Sequence, residues 1–208
     1  MTFRDRRDAG RRLGAALAEA HLVHPLVVGL PRGGVPVAAE VARALAAPLD
    51  VLIVRKLGHP SQPELGLGAI GEGGVTVWND DLIRQLGVRP AELDEIAGRE
   101  RVELERRVTA YRGGRGRPTV VGRTVVLVDD GLATGFTARA AIEVLRREGA
   151  GRIVLTVPVA HPDTITELRT VADEVTALET PDDLGAVGRW FEDFAQVSDA
   201  EVTALLER

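Results

Sequence analysis

Residues 125–150 read VVLVDDGLATGFTARAAIEVLRREGA, and this stretch decides the fold. An apolar, β-branched run ends in Asp129 and Asp130. A short loop of Gly, Ala and Thr follows, and then a segment in which Ala138, Ala141, Ile142 and Leu145 recur at the spacing of one helix face. The run is apolar on consecutive residues, as a strand covered on both faces requires, so it belongs in a parallel sheet with helices packed on it.

Working outward, the same alternation repeats. Further strands are expected at 26–30, 51–54, 152–158 and 174–178, besides 124–128, with helices at 35–45, 137–148 and 162–171. Strand, helix and strand in repetition is the βαβ signature. The fold expected is therefore α/β, a mostly parallel twisted sheet flanked by helices, with residues 1–208 forming a single domain. Residues 80–118 break the rhythm: from Arg89 onward they read as one long charged helix with Leu93, Ala97, Leu104, Val108 and Tyr111 along one side and Glu103 four residues before Arg107. The tail RGGRGRP is expected to be a solvated linker.

Composition sets limits on function. With 45% apolar and 27% charged residues the chain is a globular composition. Its apolar runs are far shorter than a bilayer span needs. The charged start, MTFRDRRDAGRR, has no export-like apolar stretch, so the cytoplasm is the expected location. There is no Cys, hence no disulfide frame and no thiolate chemistry. A net charge of −5 and aromatics at 3% argue against a nucleic-acid surface. Of the 26 basic residues only Lys56 is a lysine, which singles it out as a position where a compact ammonium serves better than a guanidinium; a stray surface lysine is the plainer alternative.

The two acids lie where ligands bind in open α/β sheets, beyond the carboxyl end of a strand. Successive strand side chains point to opposite faces, so both can serve one ligand only if the chain is already turning, which Gly131 permits. The segment ATGFT then brings backbone amides, two hydroxyls and the positive end of a helix to one point, which suits a phosphate monoester. A ligand carrying a phosphate and, a few ångströms away, a diol would satisfy both parts. A ribose phosphate fits. Gly, Thr and Asp also serve as ordinary caps and turns, but strand, paired acids and TGFT together favour the ligand.

The combination resembles the phosphoribosyl pyrophosphate loop of the type I phosphoribosyltransferases. The resemblance implies that Asp129 and Asp130 hold the ribose hydroxyls and that Ala133, Thr134, Gly135, Phe136 and Thr137 hold the 5-phosphate. Many members carry a small residue where this chain has Phe136, so its ring is expected to point away from the ligand, or the loop is altered. Two further segments support the likeness. GLPRGGVPVA follows the first strand, as the pyrophosphate loop of that family does, with Arg32, Gly33 and Gly34 offering charge and bare backbone; VRKLG places Arg55 and Lys56 where similar proteins present basic side chains to the pyrophosphate. The likeness covers about residues 26–180. A C-terminal hood at about 180–208 is expected from VGRWFEDFAQVSD, in which Trp190 or Phe191 could stack on a base and Glu192 or Asp193 approach a metal; aromatics there suit a plain core equally well. His161 follows the fourth strand near where purine-using members place a lysine, so the acceptor's identity stays open.

GLGAIG at 66–71 matches a dinucleotide fingerprint, but its flanks lack the strand and helix that motif needs, and it is rejected. The surrounding glycine-rich segment, about 57–74, is expected to be an unstructured mobile lid. The four histidines show no metal spacing.

What the resemblance implies is a Mg²⁺-dependent transferase that moves ribose 5-phosphate from phosphoribosyl pyrophosphate to a nitrogenous acceptor, a nucleobase, and releases pyrophosphate, as in nucleobase salvage. Arg32, Arg55 and Lys56 would stabilise the leaving group. No residue is assigned as general base. The expected assembly is a homodimer, with no nucleic acid or membrane partner. The alternative is a non-catalytic regulator that binds the same donor; a ribose-phosphate pyrophosphokinase is disfavoured because no second phosphate loop is present.

Overall fold

A computed structural model describes residues 2–207. A five-stranded sheet is built from β1 (Leu26–Gly29), β2 (Leu49–Val51), β6 (Thr124–Val128), β7 (Arg152–Val159) and β8 (Glu174–Glu179), all parallel, in the order β2-β1-β6-β7-β8. Alternation along each strand divides the core. Leu26, Val28, Val125, Leu127, Ile153 and Leu155 face α5 (Phe136–Arg147) and α6 (Pro162–Leu168). Val27, Val126, Val128 and Val154 face the other way, toward α1 (Arg6–Ala18) and α2 (Gly34–Ala44). Ala138, Ala141, Ile142 and Leu145 are all buried, as their spacing predicts.

The helix α1 has no counterpart among the sequence expectations. Its cap is Asp5, whose carboxylate accepts the Asp8 N–H at 2.7 Å. Leu13 and Leu17 on its inner face are buried against α2, and Ala9 packs in a small cluster with Phe3, Val159, Leu184 and Phe191.

A second sheet corrects two expectations. The strand expected at 51–54 is in fact divided: β2 ends at Val51, and β3 (Val54–His59) belongs to a three-stranded antiparallel sheet with β4 (Gln62–Gly71) and β5 (Thr76–Trp78). The apolar run continues across the break because Leu52 packs in the sheet–α5 core while Ile53 packs in a separate core beneath the hairpin. The segment 57–74, expected to be structureless, is mostly this hairpin. Its glycines are imposed by packing. A Cβ on Gly68 would lie 2.3 Å from the Val77 carbonyl oxygen, and one on Gly71 would lie 2.7 Å from the Val144 side chain. GLGAIG therefore sits within a strand, consistent with rejecting it as a nucleotide loop.

The helical stretch is α4 (Pro90–Arg112), preceded by a short α3 (Asp80–Leu86) that the sequence reading does not anticipate; Gly87 in the left-handed region separates them. Ala97, Leu104 and Tyr111 are buried as expected, and Glu103 pairs with Arg107 at 2.8 Å and also with Arg106. These hydrogen bonds hold the Glu103 carboxyl at about 2. At the end of α4, Arg112 is buried and joins three elements: it donates to both Asp50 oxygens (2.9 and 3.1 Å), to the Val51 carbonyl (3.0 Å) and to both oxygens of Glu72. One guanidinium thus ties β2, α4 and the antiparallel sheet, and satisfies two buried carboxylates. The chain ends in a 3₁₀ turn at Val187–Trp190 and α7 (Asp199–Leu206). No helix among the described residues is long and apolar enough to cross a membrane.

Candidate active site

Two loops meet at the carboxyl ends of β1 and β6. After β1, the amide of Leu30 donates to the Val128 carbonyl (2.9 Å), so loop 31–34 is held directly beside Asp129 and Asp130. The contact is close enough to require glycine. A Cβ on Gly33 would fall 1.9 Å from Asp130 Oδ2, and one on Gly34 would fall 2.6 Å from the Val128 carbonyl oxygen. The peptide between Pro31 and Arg32 is cis.

The acids are unequal. Asp129 Oδ1 accepts the Asp130 N–H at 2.9 Å. Burial, and then the neighbouring Asp130 charge, push the Asp129 carboxyl well above the usual carboxylate range. Asp130 instead receives Nε of Arg6 at 2.8 Å on Oδ2.

The following loop is pinned from behind. Leu132 and Ala160 form a parallel bridge, and Thr164 Oγ1 donates to the Ala133 carbonyl at 2.8 Å. Gly135 has φ +65°, a left-handed conformation that starts α5. No side chain caps that helix, so its first amides keep their donors for another partner, and Thr134 and Thr137 are exposed beside them. Phe136 turns its ring to the hairpin: a Cβ on Gly66 would lie 2.3 Å from it, and the Lys56 ammonium is 5.4 Å from its centroid. The ring is directed at β3 and β4.

Two of the basic residues of the sequence reading, Arg32 and Arg55, face carboxylates of this chain. Arg32 lies 3.8 Å from Asp199, which also accepts the Tyr111 hydroxyl at 2.6 Å. Burial first, and that hydrogen bond second, push the Tyr111 phenol up to about 12. Arg55 is paired with Glu100 on α4, at 2.6 and 2.8 Å.

The C-terminal residues are differently placed. Phe191 is 6% exposed, with its ring 5.4 Å from that of Phe3 in a small apolar cluster. Trp190 donates its indole N–H to the Leu184 carbonyl (3.1 Å). His161 caps α6, accepting the Asp163 N–H on Nδ1, with Nε2 3.1 Å from the Asp182 carbonyl. Glu192 and Asp193 are exposed, and no group of three or more His, Cys, Asp or Glu among the described residues could enclose a cation. Sequence reasoning missed Arg6, Tyr111 and Asp199 as neighbours of the site. Nothing local marks them, since Arg6 and Asp130 are 124 residues apart.

Comparison with known proteins identifies the family and the fold. The Phosphoribosyl transferase domain family matches residues 8–189, and the chain belongs to that family. It is 51% identical over 206 residues, 99% of its length, to a Mycobacterium tuberculosis protein assigned by name to the phosphoribosyl transferases. It is also 25% identical over 188 residues, 86% of its length, to the amidophosphoribosyltransferase of Bacillus subtilis. These matches cover 46% and 32% of those two proteins, so the chain spans about half or less of the curated relatives it matches. The crystal structure of TT1426 from Thermus thermophilus superposes with a TM-score of 0.91 at 48% identity, covering 99% of this chain and 98% of that one. The parallel sheet with flanking helices is thus the type I phosphoribosyltransferase fold.

Proposed function

We propose that the chain binds phosphoribosyl pyrophosphate at the mouth of β6 and transfers its ribose 5-phosphate to a nitrogenous acceptor, a nucleobase, with release of pyrophosphate. The observation that carries this reading is the meeting of the two loops: an acid pair, an uncapped helix start and a loop approaching so closely that only glycine fits at position 33. The uncapped amides of α5, with Thr134 and Thr137, would receive the 5-phosphate. Asp129 and Asp130 would accept from the ribose hydroxyls. Arg32 and the bare backbone of Gly33 and Gly34 would face the pyrophosphate, with Arg55 and Lys56 contributing positive charge from the hairpin. Mg²⁺ would be held chiefly by the donor's own oxygens, because the described residues offer no cage for it; when bound it would neutralise part of the donor's charge and so ease departure of pyrophosphate.

A non-catalytic, donor-binding regulator is the second reading. It is favoured by the internal pairing of Arg32 and Arg55, both of which must leave a carboxylate before meeting pyrophosphate. Incubation with phosphoribosyl pyrophosphate, Mg²⁺ and a panel of bases separates the two. Base-dependent pyrophosphate release is the expected result, whereas tight donor binding without turnover on any base would leave the regulator.

A further inference from the structure

We propose that Arg6 is a positioning residue for the ribose diol, fixing Asp130 from a part of the chain that lies outside the family match. The inference rests on the donor-binding reading above. Arg6 is the first residue of α1, and its guanidinium makes three contacts at once. Nε bonds Asp130 Oδ2 at 2.8 Å, Nη1 donates to the Ala195 carbonyl at 2.8 Å, and Cζ lies 3.8 Å over the Phe194 ring. The side chains of Arg6 and Asp130 are 11% and 17% exposed, so this pair is sheltered from the screening that makes surface pairs weak. The planar fork suits the arrangement, since each contact uses a different edge or face.

The same Asp130 oxygen, Oδ2, lies against the bare backbone of Gly33, where a Cβ would fall 1.9 Å from it. Oδ2 is therefore taken, while no donor among the described residues bonds Oδ1. Asp130 is held in one rotamer with a single oxygen left for a ligand hydroxyl. A carboxylate so fixed loses less freedom on binding than one that must first choose among staggered wells.

A plain staple between the two chain ends is the competing role, and the backbone already performs it. The Phe3 amide donates to the Trp190 carbonyl, Glu192 to Phe3, and Asp193 to Arg4, each at 2.8 Å. Reaching Asp130 adds nothing to that pairing. Arg6 precedes residue 8 and Ala195 follows residue 189, so both anchors lie beyond the family match.

The test compares ribose 5-phosphate with 2-deoxyribose 5-phosphate by calorimetric titration of the wild type, Arg6→Ala and Arg6→Lys. The wild type is expected to prefer the ribose ligand about tenfold, the worth of one hydrogen bond to a charged group. The open Oδ1 of Asp130 is committed to the 2-hydroxyl, the group that the deoxy sugar lacks, so Arg6→Ala should bring that ratio close to one, with the loss confined to the ribose ligand, and Arg6→Lys should recover part of it. A wild-type ratio in Arg6→Ala would overturn the proposal, whether both affinities are unchanged or both fall equally as a mere staple predicts. Failure of the wild type to bind either sugar phosphate would instead overturn the donor-binding reading, and this inference with it.

Discussion

The loop after β6 and the hairpin of β3 and β4 are both glycine-rich, and they touch at Phe136, yet glycine serves different ends in them. In the loop, Gly135 supplies a left-handed backbone that starts α5. In the hairpin, Gly66, Gly68 and Gly71 leave room for an aromatic ring, a carbonyl and a valine. The first use is a property of a few adjacent residues; the second depends on what arrives from elsewhere in the chain. The same distinction divides the candidate site: its two loops are local, and the groups that hold them in place are not.

The largest expected effect concerns the non-local side. Arg112→Ala would leave Asp50 and Glu72 buried without their partner, and the unfolding free energy measured in urea should fall by about 3–5 kcal/mol. A loss under about 1 kcal/mol would mean that the antiparallel sheet does not depend on this tie. Gly33→Ala addresses the local side. The new Cβ would displace the Asp130 carboxylate, so affinity for phosphoribosyl pyrophosphate should drop roughly a hundredfold, about 2.7 kcal/mol, while far-UV circular dichroism stays unchanged. Retained affinity would show that loop 31–34 is not a wall of the site.

The smallest effect has a sign set by the chemistry of Asp129. Its raised carboxyl means that the native state binds the proton more tightly than the unfolded chain does. No stability is lost at pH values below the ordinary carboxylate range, and stability falls as pH rises toward the raised value. Asp129→Asn keeps an oxygen for the Asp130 amide and removes the charge. Its Tm should rise by roughly 2–4 °C at pH 8, the shift that about 1 kcal/mol produces in a chain of this size, and the gain should disappear near pH 4. An equal gain at both pH values would refute burial of charge as the cause.

Much of this architecture is legible in the sequence, and the legible part has a common character. Residues 124–128 and 136–147 announce themselves because an apolar run, two acids and a helical stripe are contiguous. The RGG loop is legible for the same reason, lying between a strand and the helix it opens. By contrast, the hairpin strands are hidden because glycines interrupt their alternation, and the break between β2 and β3 is hidden because Leu52 and Ile53 are apolar for two different cores. Arg112 looks like one more arginine on a charged helix, and its carboxylate partners stand 62 and 40 residues away. Phe191, an aromatic that sequence offers equally to a base or to a core, is surrounded by Phe3 and Phe194.

The most direct measurement is a calorimetric titration of phosphoribosyl pyrophosphate, with Mg²⁺ present, into the wild type and into Asp130→Asn. The account predicts saturable heat at one site per chain in the wild type, and affinity lower by about tenfold or more in the variant. An absence of heat from the wild type, or equal affinities for the two proteins, would contradict it.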